Sequence, residues 1–322
     1  MSSNSGNQTV IVGAGPAGLT AALTLARYRH PVVLVDSHKT PRNGAARGVH
    51  GHIGLDGVAP TEIRARAWKE LSQYATVELV EAGVASVRAA DDDRFQVGLD
   101  NGDTIDATTM LLATGVVDVH PANVEGFSAC WGRTVIHCPL CLGEENAGRT
   151  WGHVTDNAQI AGLSAAALKA WSDDVIIICP ESMPGIDETR ATAHGLGCDV
   201  ITGTIRSLHH NDGSLHAVEF DDGRVIERGT LVWTPQQKQV PFVSKAIDEL
   251  KLNADDAGFL AVDDRQRTNV PGVFAAGDLA SRWNQSFTLA TSTGLTAAET
   301  IHATSVFRAL GMPMPDAPSY GE

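Results

Sequence analysis

Residues 8–37 read QTVIVGAGPAGLTAALTLARYRHPVVLVDS. The order is apolar strand, glycine turn, alanine-rich helix, second apolar strand and then an acidic residue, which is the order of a βαβ unit. Gly13, Gly15 and Gly18 follow the first strand directly and open the helix. The three differ in what they allow, since Gly13 permits the tight turn, Gly15 lets the backbone approach a pyrophosphate, and Gly18 lets the helix pack on the strand. The phosphates then lie at the positive end of the helix. Asp36 closes the second strand, near the place where a carboxylate grips a ribose hydroxyl in dinucleotide sites.

The 322-residue chain exceeds the roughly 250–300 residues at which a single hydrophobic core stops growing, so two domains are expected. A composition of 43% hydrophobic and 19% charged residues belongs to a globular protein, not to a disordered or membrane one. A net charge of −14 with no long basic run argues against nucleic acid or an anionic membrane as partner, leaving small molecules or a protein carrier. The polar start MSSNSGNQ lacks the features of a signal peptide, and no apolar run approaches the roughly 20 residues that span a bilayer. A cytoplasmic location is expected. Five cysteines, an odd number, do not make a secreted disulfide framework, and a CxxC in such a chain is more often redox-active or metal-binding.

Beyond the βαβ unit come a helical stretch, TEIRARAWKELSQY (61–74), a hairpin centred on LDNGD (99–103), and the apolar strand TTMLLATGV (108–116), which ends in Thr114 and Gly115. Far downstream, residues 268–301 give a short strand, then Gly277 and Asp278, then a helix. Fragments of one nucleotide fold therefore flank the middle of the chain. The expected division is residues 1–117 with 239–322 as one discontinuous domain and 118–238 as an inserted one. The insert opens with WGRTVIHCPLC, where Cys138 and Cys141 stand two residues apart. It continues through a helix, AGLSAAALKAW, a strand, DDVIIIC, and a hairpin at FDDGRV.

Taken together, GAGPAGLTAA, LLATG, CPLC and TNVPGVFAAGD, in order and at suitable spacing over nearly the whole chain, resemble the low-molecular-weight thioredoxin reductase family of flavoproteins. The resemblance implies an α/β, two-domain Rossmann-like thioredoxin reductase fold, a homodimer, and FAD as cofactor. It places Gly13, Gly15, Gly18 and Asp36 on the ADP half of FAD, Val84 near the adenine by backbone contact, and Asp278 on the ribityl chain. Gly115 and Gly277 fall in the flanking cofactor motifs, and Gln285 in a segment like the family's flavin-side helix start. Cys141 would face the flavin and Cys138 the substrate.

Departures from the family pattern carry as much information. Where the family repeats a glycine fingerprint in the insert, this chain reads TWGHVTDNAQIAGL (150–163), with Thr155, Asp156, Asn157 and Ala158 at the turn. Side chains there hold a pyrophosphate away, and Asp156 adds a negative charge where phosphate would lie. The arginines that grip the 2′-phosphate of NADP are also missing, since VIIICPESMPGIDET (175–189) contains no Lys or Arg. An FAD fingerprint and CxxC without a pyridine-nucleotide site are similar to the gliotoxin-type and holomycin-type dithiol oxidases. Such enzymes pass electrons from a small-molecule dithiol through the cysteine pair to flavin and then oxygen. Two alternatives stay open: a disulfide reductase of a small redox protein, driven by ferredoxin or by NADPH bound in an unusual mode, and a redox-sensing flavoprotein that does not turn over.

The CxxC spacing lets a second cysteine resolve a mixed disulfide with little chain movement. A base must take the substrate proton. The family has Asp, and many dithiol oxidases His, directly after the second cysteine, but this chain has Leu142. His137 is the first substitute and Glu144 or Glu145 the second, while His50 or His52 could serve the flavin. Cys130, Cys179 and Cys198 are scattered and offer no second CxxC, so no metal site is expected.

Overall fold

A computed structural model describes residues 8–314 except 38, 40 and 92. The chain forms two compact units. The first holds the residues up to Arg42, Thr61–Val117 and those from Gln237 on, and the second holds Asn43–Pro60 and Asp118–Gln236.

In the first unit a five-stranded parallel sheet runs in the order Val273–Ala275, Thr109–Leu112, Thr9–Val12, Val32–Asp36, Val77–Glu81. The fingerprint strand is central, and both it and Thr109–Leu112 are buried along their whole length. That is why they read as unbroken apolar runs and not as alternating ones. Successive side chains still part to opposite faces. Val10 and Val12 pack with Met110, Leu112 and the apolar side of helix Pro241–Leu250, whereas Ile11 and Leu111 pack with Ala21, Leu25 and Ala297 of the covering helices. A three-stranded antiparallel meander, Val84–Ala90, Arg94–Leu99 and Thr104–Ala107, turns Phe95, Val97 and Leu99 into the first of these cores. The hairpin read at LDNGD joins its last two strands.

The second unit repeats the plan. Its parallel sheet runs Asp199–Thr202, Val175–Cys179, Trp151–Val154, Thr230–Trp233, Val135–Ile136, beside an antiparallel meander of Ile205–Asn211, Ser214–Phe220 and Val225–Glu227. This repetition left no strict repeat in the sequence, because the glycine turn that would have marked the second copy is replaced. The segment 43–60, placed by sequence with residues 1–117, clusters instead with the second unit. Val49 bridges Val58 within it, and Gly132, at φ +72°, sits so close to Ala45 that an added Cβ would lie 3.0 Å from the Ala45 methyl. Among the described residues no helix is long and apolar enough to cross a membrane.

Inside the second sheet His153 is buried, with its Nδ1 2.5 Å from Ser164 Oγ, and burial pulls the imidazole down to about 4. A folded-state value below the unfolded one means stability that is complete above about pH 6.5 and lost as pH falls toward 4. His153→Leu is therefore expected to flatten the fall in melting temperature between pH 7 and pH 4.5, by the equivalent of roughly 2–3 kcal/mol. Parallel pH curves for variant and wild type would show that the ring does not carry this penalty.

Candidate active site

The fingerprint glycines stand where side chains do not fit or are not wanted. Gly13 has φ +104°, and a Cβ there would lie 2.5 Å from the Ala113 carbonyl oxygen. One on Gly18 would lie 1.9 Å from the Gly13 carbonyl oxygen. Gly15 is different: its backbone is extended, and nothing lies within 4 Å of an added Cβ. Helix Pro16–Arg27 starts there with no side-chain cap and with proline in its first turn. Its first-turn N–H groups thus meet no side-chain cap at the positive end of the helix dipole.

Asp36 Oδ1 accepts the Ala14 N–H at 2.8 Å, which holds the carboxylate against the glycine turn, and Oδ2 pairs with Arg64. The sequence offered Arg64 only as one polar position of an amphipathic helix, Pro60–Leu71. Val84 begins the meander three residues after Glu81, and Glu81 is paired in register with Asp36. After the strand Thr109–Leu112, Thr114 buries its hydroxyl oxygen with no protein partner, and Gly115 takes φ +62°. An orphaned hydroxyl beside an uncapped helix and an open glycine fits the phosphate-bearing cofactor that the sequence leads one to expect.

Asp278 and Gln285 are brought together by a residue the sequence did not signal. Arg42 Nη1 donates to Asp278 Oδ2 at 3.1 Å and to Gln285 Oε1 at 2.6 Å. Gln285 and Gln237 exchange amide hydrogen bonds at 2.8 and 2.9 Å. Gly277, at φ +74°, donates its N–H to Thr293 Oγ1 and would set a Cβ 3.1 Å from Ala17 on the fingerprint helix.

In the second unit Cys138 and Cys141 are joined by a disulfide, with Cα atoms 5.3 Å apart. Cys138 caps the single turn Pro139–Leu142, and its sulfur accepts the Cys141 N–H at 3.2 Å. His137 stacks on Trp131 at a centroid distance of 5.7 Å, and Trp131 stacks in turn on buried Phe127. The ring next to Cys138 is therefore held by an aromatic column. Leu142 packs toward Trp171 and Trp151, which accounts for an apolar residue directly after Cys141. His50 and Glu145, separate candidates in the sequence, lie together: His50 Nε2 is 3.3 Å from Glu145 Oε1 and its Nδ1 3.5 Å from Asp56 Oδ2. His52 is half-buried, its Nδ1 3.1 Å from the Ile53 carbonyl oxygen, and Glu144 is exposed. Cys130, Cys179 and Cys198 are buried free thiols, and burial raises each above the usual thiol value.

The second nucleotide turn is built quite unlike the first. After strand Trp151–Val154, Asn157 caps helix Ala158–Ala167 with its own side chain, Oδ1 accepting the N–H groups of Gln159 and Ile160 at 3.0 and 3.2 Å. Donors that would meet a pyrophosphate are already used. After strand Val175–Cys179, the next cation is Arg190 on helix Ile186–Gly195.

Known proteins are similar to this chain over most of its length. The family model described as pyridine nucleotide-disulphide oxidoreductase matches residues 7–294. Thioredoxin reductase tcpT of Claviceps purpurea (strain 20.1) is 30% identical over 290 residues, 86% of this chain and 88% of the relative. The crystal structure of HlmI superposes with a TM-score of 0.85 at 30% identity, covering 97% of this chain and 96% of that one. An oxidoreductase structure from Agrobacterium tumefaciens gives 0.82 at 30% identity, covering 93% and 98%.

The open space at Gly15 generates a test. The Cβ of a Gly15→Val side chain meets no protein atom within 4 Å, and the variant is expected to purify folded but with most of its FAD lost, whereas Gly18→Val drives its Cβ into backbone and is expected to fail to fold. Flavin absorbance per protein and a melting curve separate the two. Full FAD content in Gly15→Val would remove this turn from the cofactor site.

Proposed function

The chain belongs to the pyridine nucleotide-disulphide oxidoreductases and binds FAD, and from that premise we propose that it oxidises small dithiols to disulfides through Cys138 and Cys141, without NADPH. A substrate thiolate attacks the Cys138 sulfur, the Cys138–Cys141 bond breaks, and Cys141 leaves as a thiolate. The second substrate thiol then attacks the substrate sulfur of the mixed disulfide and releases Cys138. Substrate departs as a disulfide, short of two electrons and two protons, and the enzyme pair holds the electrons. His137, fixed beside Cys138 by its stack on Trp131, is the group we assign to take the incoming thiol's proton. What FAD supplies when bound is a two-electron acceptor for the reduced pair, re-oxidised by oxygen with release of hydrogen peroxide.

The observation that carries this reading is the contrast between two helix N-termini in one chain. At Gly15 the helix is uncapped and open, while at Asn157 it is closed by its own side chain. A disulfide retained beside a self-capped second turn favours a dithiol over a pyridine nucleotide as the electron source. The cysteine usage supports work in the cytoplasm, and the family likeness supports a homodimer, as parts of the same proposal.

A second reading has its own support. Relatives carry the name thioredoxin reductase, and Leu140, between the two sulfurs, is 74% exposed and available to a protein partner. In it the pair reduces a small redox protein, with electrons from ferredoxin or from NADPH bound in another mode.

Anaerobic mixing decides between them. Dithiothreitol is expected to bleach the bound flavin and NADPH to leave it yellow; rapid bleaching by micromolar NADPH would overturn the proposal. In air, hydrogen peroxide is expected to accumulate in step with thiol loss. Its absence, with reduced ferredoxin driving reduction of a protein disulfide, transfers the case to the second reading. For the sulfurs, Cys138→Ser is expected to show a long-wavelength thiolate-to-flavin band with almost no turnover, and Cys141→Ser to lose turnover without the band. A band confined to Cys141→Ser would reverse the two roles.

A further inference from the structure

Next to the redox turn lies a cavity of about 170 Å³ whose wall includes Leu142, the residue directly after Cys141. Consecutive Cα atoms are about 3.8 Å apart, so the cavity begins within one residue of the disulfide. It is small beside the roughly 300–1,000 Å³ of sites that enclose a whole drug-sized ligand. It suits one end of a molecule.

Three arginines line it, Arg47, Arg133 and Arg149. Arg133 donates to the backbone carbonyl of Asp212 at 2.6 Å. Arg149 donates to the Gly229 carbonyl at 2.8 Å and to Ser214 Oγ at 3.0 Å. These bonds hold the side chains with neutral acceptors and use only part of each five-donor head. Gly213 makes the room, since a Cβ there would lie 2.9 Å from Arg133 Cδ. Two acids share the wall: Glu145 is turned to His50 at 3.3 Å, and Asp212 meets Arg133 through its backbone carbonyl. Among the described residues none of the three arginines is within ion-pair distance of a carboxylate. In a chain of net charge −14, a cavity wall with three arginines against two carboxylates, neither paired with an arginine, is a local reversal of sign.

We propose that this cavity receives the carboxylate of the small dithiol that the enzyme oxidises, which makes an anionic thiol acid the preferred substrate class. The proposal rests on the dithiol reading above. Arginine forks match a carboxylate's two oxygens, and the short distance to Leu142 leaves the substrate's sulfurs at the redox turn.

Binding can be measured without turnover. Lipoate and lipoamide share ring and chain and differ only in the carboxylate, so isothermal titration of each into the oxidised holoenzyme isolates the charge. Lipoate is expected to bind about fivefold more tightly, the equivalent of ~1 kcal/mol for a solvent-accessible charge contact. Arg47→Gln, a change at an exposed side chain, is expected to cut that preference at least by half, and added salt to erode it in the wild type. Equal affinities for the two compounds, undetectable lipoate binding, or an unaltered preference in Arg47→Gln would overturn the proposal. Competition by inorganic phosphate without any lipoate preference would reduce the cavity to a general anion trap and overturn it too. Flavin bleaching by dithiothreitol is scored separately. Bleaching without a lipoate preference defeats the cavity alone, and a lipoate preference without bleaching defeats the dithiol reading alone.

Discussion

The first unit depends on how closely a strand end and a helix start approach each other at Gly13 and Gly18. An added Cβ on Gly18 would lie 1.9 Å from the Gly13 carbonyl oxygen, so no other residue fits without moving backbone. That contact fixes helix Pro16–Arg27 over the central strand Thr9–Val12. It aims the helix end at the space above Gly15, and it sets the register in which Thr109–Leu112 and Val32–Asp36 bring Thr114 and Asp36 to the same sheet end. The C-terminal helix, Phe287–Ala309, inherits the constraint: Gly294 abuts the Ala17 carbonyl so closely that an added Cβ would lie 2.2 Å away.

In the second unit the same architecture stands without that contact. Asn157 turns its side chain onto the helix start, and His153 with Ser164 occupies the interior behind it. A hydrogen-bonded cap and a buried polar pair stabilise a βα connection as glycine crowding does, but they occupy the donors and the space a phosphate needs. The fold stands without a glycine turn because the apolar strands Trp151–Val154 and Val175–Cys179 supply the sheet.

How much of this was legible follows from what each signal depends on. Glycine positions, apolar runs and turn residues act locally, so the βαβ unit, both hairpins and the redox turn could be read from the chain. The α/β architecture, the thioredoxin reductase likeness and FAD rest on the same local marks. Arg42, Arg64 and Gln237 were invisible because each acts through a partner distant in sequence: Arg42 reaches Asp278 across 236 positions. The pairing of His50 with Glu145 was hidden for the same reason, although each residue stands out singly in the sequence. The boundary at residue 117 missed the segment 43–60, since its association with the second unit is carried by the Gly132–Ala45 contact and the approach of His50 to Glu145 and not by any periodic pattern.

The placement of residues 43–60 limits how the protein can be taken apart. Because they cluster with 118–236, the chain passes from one unit to the other at four points, after Arg42, Pro60, Val117 and Gln236. No single pair of cuts releases the disulfide-bearing unit whole. A fragment spanning 118–236 would leave behind the imidazole that faces Glu145 and the methyl that Gly132 packs against. Interleaving of this kind makes the two units one heritable object: neither can be shuffled into another protein, or lost, as a continuous piece of gene.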